Sequence, residues 1–278
     1  MSYRSILVHL DDSPRCAVRT DIAAQLAIRH GAHLRGLAPA GVVSLPARVT
    51  PSMTGVPNYL EIAQASLNER ATALVGEFKQ RVQDAGLTSF DGRVDPDDTV
   101  DSLVRHAGVH DLVVLGQTDR TVAALDLDIP QHVLMRAGTP ALVVPFIGGF
   151  KDVGGCVVVA WNATRESARA VHDAMPLLGQ AREVHLMCFE RVDDLRHVSR
   201  LQLNDAHGWL ARHGVEARLH QEPVSGDVGD ALLSRASDLG ADLVVMGGYG
   251  HSRLAEFLLG GVTRRLLAQM TTPVLLSH

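Results

Sequence analysis

The sequence predicts an α/β protein of two tandem domains, each a five-stranded parallel sheet with helices on both faces. Three observations carry the prediction. Short apolar runs such as Ile6-Leu7-Val8, Leu112-Val113-Val114-Leu115 and Leu243-Val244-Val245-Met246 lack polar alternation and read as strands buried on both sides. They alternate with segments of helical periodicity, which favours parallel pairing through right-handed crossovers. And the order recurs. Ser5-Ile-Leu-Val-His-Leu-Asp-Asp-Ser-Pro14 returns as Cys156-Val-Val-Val-Ala-Trp-Asn-Ala-Thr-Arg165, Asp111-Leu-Val-Val-Leu-Gly116 as Asp242-Leu-Val-Val-Met-Gly247, and Thr139-Pro-Ala-Leu-Val-Val144 as Thr272-Pro-Val-Leu-Leu-Ser277. The chain therefore reads as a duplication, with domains over 1–146 and 153–278 and a linker at Gly148-Gly149.

In the first half a strand over 5–10 leads to Asp11-Asp12-Ser13-Pro14. Ser13 is expected to cap a helix with Pro14 at its first position. That helix runs to His30, and Gly31 ends it. A second strand spans 32–38. Four prolines between 39 and 57 then break all periodicity, which marks either a functional loop or an unstructured one. Leu60, Ala63, Leu67, Ala71, Leu74 and Phe78 share one face of a helix over 59–85. A strand near 89–94, a helix over 97–107, strand four, a helix over 129–136 and a strand over 141–144 complete the half. In the second half strands are expected over 155–160, 183–189, 216–220, 243–246 and 274–276. Helices are expected over 165–178, 193–213, 226–239 and 262–269.

Composition narrows the function classes. The chain has 278 residues, a formal charge of −5 and 46% hydrophobic residues. It carries no apolar run of membrane-spanning length and no basic excess, so neither a membrane nor nucleic acid is an expected partner. Residues 1–4 pass directly into Ile6-Leu7-Val8, the pattern of an opening strand and not of a signal peptide. Three dispersed cysteines, Cys16, Cys156 and Cys188, fit reduced thiols and a cytoplasmic protein. The 14 histidines include no His-Glu-x-x-His and no Cys/His set at ligand spacing, so no metal site is expected.

The most informative stretch runs from Asp242 to Thr263. A buried strand stops at Gly247, Gly250 follows, and Gly260-Gly261 opens a helix with Thr263 in its first turn. Glycines let backbone approach an anion closely, and a helix start offers free N–H groups and the positive end of a dipole. Strand one of this half ends at Trp161-Asn162, so both loops reach the same sheet edge, where open α/β sheets bind ligands. His251, Ser252 and Arg253 could supplement such a cradle or form a solvated loop. Arg264 and Arg265 sit in the helix's first turns, a position that disfavours cations unless an anion is near. Asp227 reads as a helix N-terminal acid.

The spacing Gly247-x2-Gly250-x9-Gly260, followed by Gly261-Val262-Thr263, resembles the nucleotide loop of the universal stress protein family in its ATP-binding branch, and the likeness extends over essentially the whole chain. The resemblance implies a Rossmann-like fold and an adenine nucleotide, ATP first, with or without Mg2+. It carries the site onto Ala160, Trp161, Asn162, Cys188, Met246, Gly247, Tyr249, Gly250, Gly260, Gly261, Val262 and Thr263. This chain departs from the pattern twice. Gly261 stands where the family has Ser or Thr, and Asn162 where it has Asp. Cys188 falls at an apolar position beside the adenine; on its own it reads as a small core residue. The resemblance further implies that the fifth strands of the two halves pair at Val143-Val144 and Leu275-Leu276, as in an intramolecular pseudo-dimer, with a homodimer and an unidentified protein as further partners.

The first half keeps Gly116 but not the loop. Counting back from Thr139-Pro140, Leu127-Asp128 takes the place of Gly260-Gly261, and Asp119 falls near Gly250. A carboxylate there repels phosphate, and Asp128 before Ile129-Pro130 reads as the helix's own cap. The first half is expected to bind no triphosphate. Catalysis finds no support: there is no Walker A lysine, no Gly-x-Ser-x-Gly elbow and no base at convincing spacing. Three readings stay open, in this order: a regulatory nucleotide-binding stress protein, a nucleotide-free interaction scaffold, and a slow ATP hydrolase.

Overall fold

The computed structural model describes residues 2–41, 59–118, 128–191, 200–249 and 261–278. The expectations placed on 42–57, on Asp119 and Leu127, on Gly250 and Gly260, and on His251, Ser252 and Arg253 lie outside the described residues. The chain divides into two compact units, one of residues 3–116 with 131–139, the other mainly of 117–130 with 140–278.

The first unit carries β1 (Ser5–His9), α1 (Cys16–His30), β2 (His33–Pro39), α2 (Tyr59–Asp84), β3 (Phe90–Asp95), α3 (Thr99–Ala107) and β4 (Leu112–Gly116). Its strands lie in the order β3-β2-β1-β4 and those paired are parallel, with Ile6 facing Leu34 on one side and Leu112 on the other. Ile6, Leu7, Val8 and Leu112 to Leu115 are fully buried, as unalternating apolar strands between helix layers should be. Gly31 ends α1 in the left-handed conformation at φ 62°, where its N–H closes the last turn.

After α4 (Ile129–Ala137), the second unit carries β5 (Ala141–Val144), β6 (Cys156–Ala160), α5 (Arg165–Leu178), β7 (Glu183–Arg191), α6 (Arg200–Arg212), β8 (Ala217–Val224), α7 (Val228–Asp238), β9 (Leu243–Gly247), α8 (Gly261–Gln269) and β10 (Val274–Ser277). The strand order is β5-β10-β9-β6-β7-β8. All these pairs are parallel except the first: β5 meets β10 antiparallel, with Val143 against Val274 and Leu142 against Leu275. The expected meeting of the two fifth strands is thus present. It draws β5, which belongs to the first sequence repeat, into the unit built from the second.

Two expectations need correction. Ser13 does not cap α1 and Pro14 is not its first residue: the helix starts at Cys16, with Arg15 in the cap position and no side-chain cap. The reason is local. Asp11 accepts hydrogen bonds from the Ser13 backbone N–H and from the Ser13 hydroxyl, so the side chain that should cap the helix folds back on the preceding loop. Second, β8 continues past 220 to Val224, paired with β7 as far as Arg191. Pro223 is tolerated because β8 is the last strand of its order and needs no N–H there. Helix α6 is described from Arg200 to Arg212; the expected residues 193–199 lie outside the described set.

Candidate functional site

Strands β6 and β9 are parallel neighbours in the register Val157–Leu243, Val158–Val244, Val159–Val245. Their carboxyl ends, Ala160 and Gly247, therefore reach one edge. From β6 the chain steps outward to β7, whereas β9 steps the other way to β10. That is the topological switch at which doubly wound sheets leave a crevice.

Each segment at this edge has a definite local cause. The Trp161 N–H donates to the Met187 carbonyl at 2.7 Å and the Gly248 N–H to the Ser277 carbonyl at 2.8 Å, which prolongs both ladders by one rung. Asn162 accepts from the Thr164 hydroxyl at 2.8 Å, so its side-chain oxygen is spent on the turn. Thr164 in turn caps α5 in a reciprocal box with Ser167. Burial would raise the Glu166 carboxyl; bonding to its own backbone N–H and to Thr164 holds it low instead, beside the start of α5. Gly247 is required by contact: a Cβ there would stand 2.5 Å from the Glu166 carbonyl carbon and 2.6 Å from the Ser167 nitrogen. Backbone cannot yield to that extent, so the close crossing of β9 and α5 depends on glycine.

The other side of the edge is Tyr249 and α8. Tyr249 sits in the left-handed region at φ 56°, and its N–H donates to the Thr263 hydroxyl at 3.4 Å. Thr263 is 4% exposed, while Gly261 at the helix start is open to solvent. Val262 follows in the first turn, and Met246 is buried in the strand below. Burial, and then Asp128, push the Tyr249 phenol well above its ordinary range, so it stays protonated. Asp128 directly precedes α4 and accepts from the Thr118 hydroxyl at 3.4 Å. Arg265 is answered by protein carboxylates: it lies 3.5 Å from Asp227 and 3.4 Å from Asp230. Asp227 caps α7 as expected, accepting from the Gly229 and Asp230 N–H groups.

Ala160, Trp161, Asn162, Met246, Gly247, Tyr249, Gly261, Val262 and Thr263 thus flank one sheet edge, while Gly250 and Gly260 lie outside the described residues. Cys188 sits one residue past Met187, which pairs with Ala160. It is 1% exposed, and burial pushes its thiol up to about 11, which suits a packing residue and not a nucleophile.

Two polar groups at this edge stand out. The Trp161 Nε1 and the Tyr249 hydroxyl are both buried, and neither has a hydrogen-bond partner among the described residues. Such groups are rare because each costs about 1–3 kcal/mol. Beside Trp161 a cavity of about 380 Å³ opens between α5 and α6, bordered by Ala163, His172, Leu186, Asp205 and Trp209. The Trp209 ring stacks on His172 and His213 at 4.5 and 4.3 Å. His172, Asp205 and Trp209 escaped sequence reasoning because each lies on a helix with an ordinary amphipathic pattern. The one available signal was that Trp161 and Trp209 are the only tryptophans in the chain.

The corresponding edge of the first unit is built differently. There the guanidinium of Arg19, 1% exposed, donates from Nε to the His9 carbonyl at 2.7 Å and lies 2.9 Å from Asp11 through Nη2. Its Nη1 takes up the space that a Cβ on Gly116 would need. Burial alone would raise the Asp11 carboxyl; Arg19, with His9 and Ser13, holds it well below the usual carboxylate range. Burial lowers His9 to about 4, leaving it neutral.

Comparison with known proteins agrees with this architecture. Residues 157–278 match the model of the universal stress protein family. A universal stress protein from Synechocystis is 23% identical over 223 residues, covering 78% of this chain and 75% of its own. Among solved structures, a universal stress protein from Archaeoglobus fulgidus aligns with a TM-score of 0.78 at 16% identity, over 98% of this chain and 95% of its own. A protein of unknown function from Pseudomonas aeruginosa aligns at 0.62 and 18% identity, over 99% and 92%.

Proposed function

We propose that this chain is a universal stress protein, as the match of its second half to that family's model suggests, and that it binds an adenine nucleotide, ATP before others, at the edge shared by β6, β9 and α8. In this reading the chain is two domains, 1–146 and 153–278, of which only the second is a working site, and the nucleotide regulates instead of reacting. The observation that carries the proposal is the crossing at Gly247. Backbone packed that tightly against α5 comes shortly before Gly250 and Gly260 in the sequence, and α8 begins on an exposed Gly261. The N-terminus of α5 is already served by Thr164 and Glu166, which leaves that of α8 for an external anion. The unpartnered Trp161 and Tyr249 groups favour a polar ligand there. A role in a cytoplasmic stress response belongs to the same proposal.

A second reading, a scaffold that takes no nucleotide, draws on two observations. Asn162 spends its side-chain oxygen on Thr164, and the Thr263 hydroxyl is engaged by Tyr249. No described group is placed as a base for water attack, which puts ATP hydrolysis last.

Calorimetry with ATP and with AMP, with and without Mg2+, separates the readings, with Gly260→Asp as control. The expected result is about one nucleotide per chain, lost in the variant. Because both tryptophans border one cavity, binding should also change the intrinsic fluorescence. No binding at millimolar nucleotide would transfer the weight to the scaffold.

A further inference from the structure

We propose that the second unit holds a transition-metal site, matched to Zn2+, at the amino ends of β6 and β7, with Cys156, Glu183 and His185 as ligands. It lies at the opposite end of these strands from the glycine loop and does not depend on the nucleotide reading.

Strand pairing assembles the set. In the parallel register Cys156 faces Glu183 and Val158 faces His185, so positions 156, 183 and 185 fall on one face of the sheet. The Cys156 thiol, a Glu183 carboxylate oxygen and a His185 ring nitrogen all lie within 4.8 Å of one another. Four-coordinate zinc, with Zn–S of about 2.3 Å and Zn–N or Zn–O of about 2.0–2.2 Å, sets its ligand atoms roughly 3.3–3.8 Å apart. Side-chain torsions alone can close that difference.

The independent sign is His185. It is 1% exposed, and its Nε2 has no hydrogen-bond partner among the described residues. Glu183 Oε1 comes within 3.1 Å of that nitrogen but misses hydrogen-bond geometry. The other ring nitrogen, Nδ1, lies 2.9 Å from Nε2 of His220 on β8. In the tautomer whose Nδ1 proton is donated to His220, Nε2 turns its lone pair toward Cys156 and Glu183. That is the arrangement in which metal-bound histidines are held, one nitrogen on the metal and the other oriented by a neighbour. A lone pair facing a carboxylate in a buried place is unfavourable unless a cation lies between them.

The donor set selects the metal class. One sulfur, one imidazole and one carboxylate suit Zn2+ and its neighbours, whereas Mg2+ and Ca2+ take oxygen shells. Three protein ligands leave a fourth position for water or, after a torsion, for His220. Cys156 now donates its thiol proton to the Leu239 carbonyl at 3.6 Å; binding converts thiol to thiolate and releases that proton to solvent. Arg218 pairs with the same Glu183 oxygen, Oε1, that faces His185, so a turn of the carboxylate is needed for the metal to take one oxygen and Arg218 the other.

Co2+ is the probe, because its thiolate complexes absorb where zinc is silent. The full-length chain, stripped with chelator and free of nucleotide, is titrated with Co2+ and then with Zn2+. The expected result is one Co2+ per chain with a thiolate-to-cobalt charge-transfer band, bleached by Zn2+, and a raised unfolding midpoint with Zn2+. Cys156→Ser should abolish the band. Glu183→Gln, at a partly exposed position where loss of the Arg218 pair costs little, should weaken Co2+ about tenfold or more while the chelated protein unfolds as the wild type does. No charge-transfer band, or a band that survives Cys156→Ser, would overturn the proposal. Should Cys156→Ser fail to fold, unchanged Co2+ affinity in Glu183→Gln would overturn it instead.

Discussion

The two halves share a scaffold and differ in what meets their switch-point edge. In the first, Asp11 at the end of β1 is answered by the protein's own cation: Arg19 fills the space beside Gly116 and pairs with the carboxylate. In the second, the same alignment sets Asn162 on Asp11, Ala170 on Arg19 and Ala160 on His9. Among the described residues no buried cation stands there; the backbone of α5 closes on Gly247, and the Trp161 and Tyr249 polar atoms have no partner among those residues. A duplicated edge can thus satisfy its charges internally or leave hydrogen-bonding capacity for something else. Internal satisfaction turns a ligand site into a stabilising core.

The largest expected effect follows from removing that internal cation. Arg19→Ala, which gives the first half the residue of the second, leaves Asp11 partly buried beside a lost partner and the His9 carbonyl without its donor. We expect a loss of about 3–5 kcal/mol by chemical denaturation. A loss under about 1 kcal/mol would mean the pair is incidental.

The next is a pH effect. His9 is held at about 4 against an ordinary 6.5. The folded state therefore binds fewer protons than the unfolded one between those values. His9 contributes its full stabilisation above about pH 6.5, and it is lost as pH falls toward 4, on the order of 3 kcal/mol in total. Asp11, whose folded carboxyl is also lowered, continues the loss below its ordinary range near 4. Other buried histidines share the window, so the measurement is the difference in stability-versus-pH slope between wild type and His9→Ala. Equal slopes would remove His9 from the account.

The smallest effect discriminates most finely. Gly247→Ala forces a Cβ against backbone and should cost about 1–3 kcal/mol whatever else is changed. Gly116→Ala meets the tip of a side chain. Its cost should disappear in an Arg19→Ala background, giving a measurable coupling between the two positions. Absence of that coupling would show that Arg19 does not shape the edge.

Much of this was legible beforehand. Helix α5 and strand β5 fall where they were expected, because an amphipathic stretch and a four-residue apolar run are local signals. The Ser13 cap failed because two chemically sensible bonds compete for one hydroxyl, and Asp11 two residues earlier wins. Arg19 was invisible, since an arginine in an amphipathic helix reads as solvent face, and only tertiary packing reveals that it points inward. The trio of Cys156, Glu183 and His185 was hidden for a different reason. Ligand spacing along a chain detects sites made by one turn or one hairpin, whereas these residues are brought together by parallel strands joined through α5. The glycine loop could be read as a pattern, but which of its neighbours lack partners could not.

The antiparallel meeting of β5 with β10 has a consequence for anyone who would divide the chain. Val274, Leu275 and Leu276 are at most 1% exposed, and β5 is what pairs with the outer side of their backbone. A fragment begun at residue 153 would keep every element of the second repeat yet bare a flat apolar rim of unmet N–H and C=O groups. The complement nearest to hand for that rim is its own twin in another copy. The duplication thus works as a built-in chaperone: one repeat lends the other a strand that keeps it from seeking company.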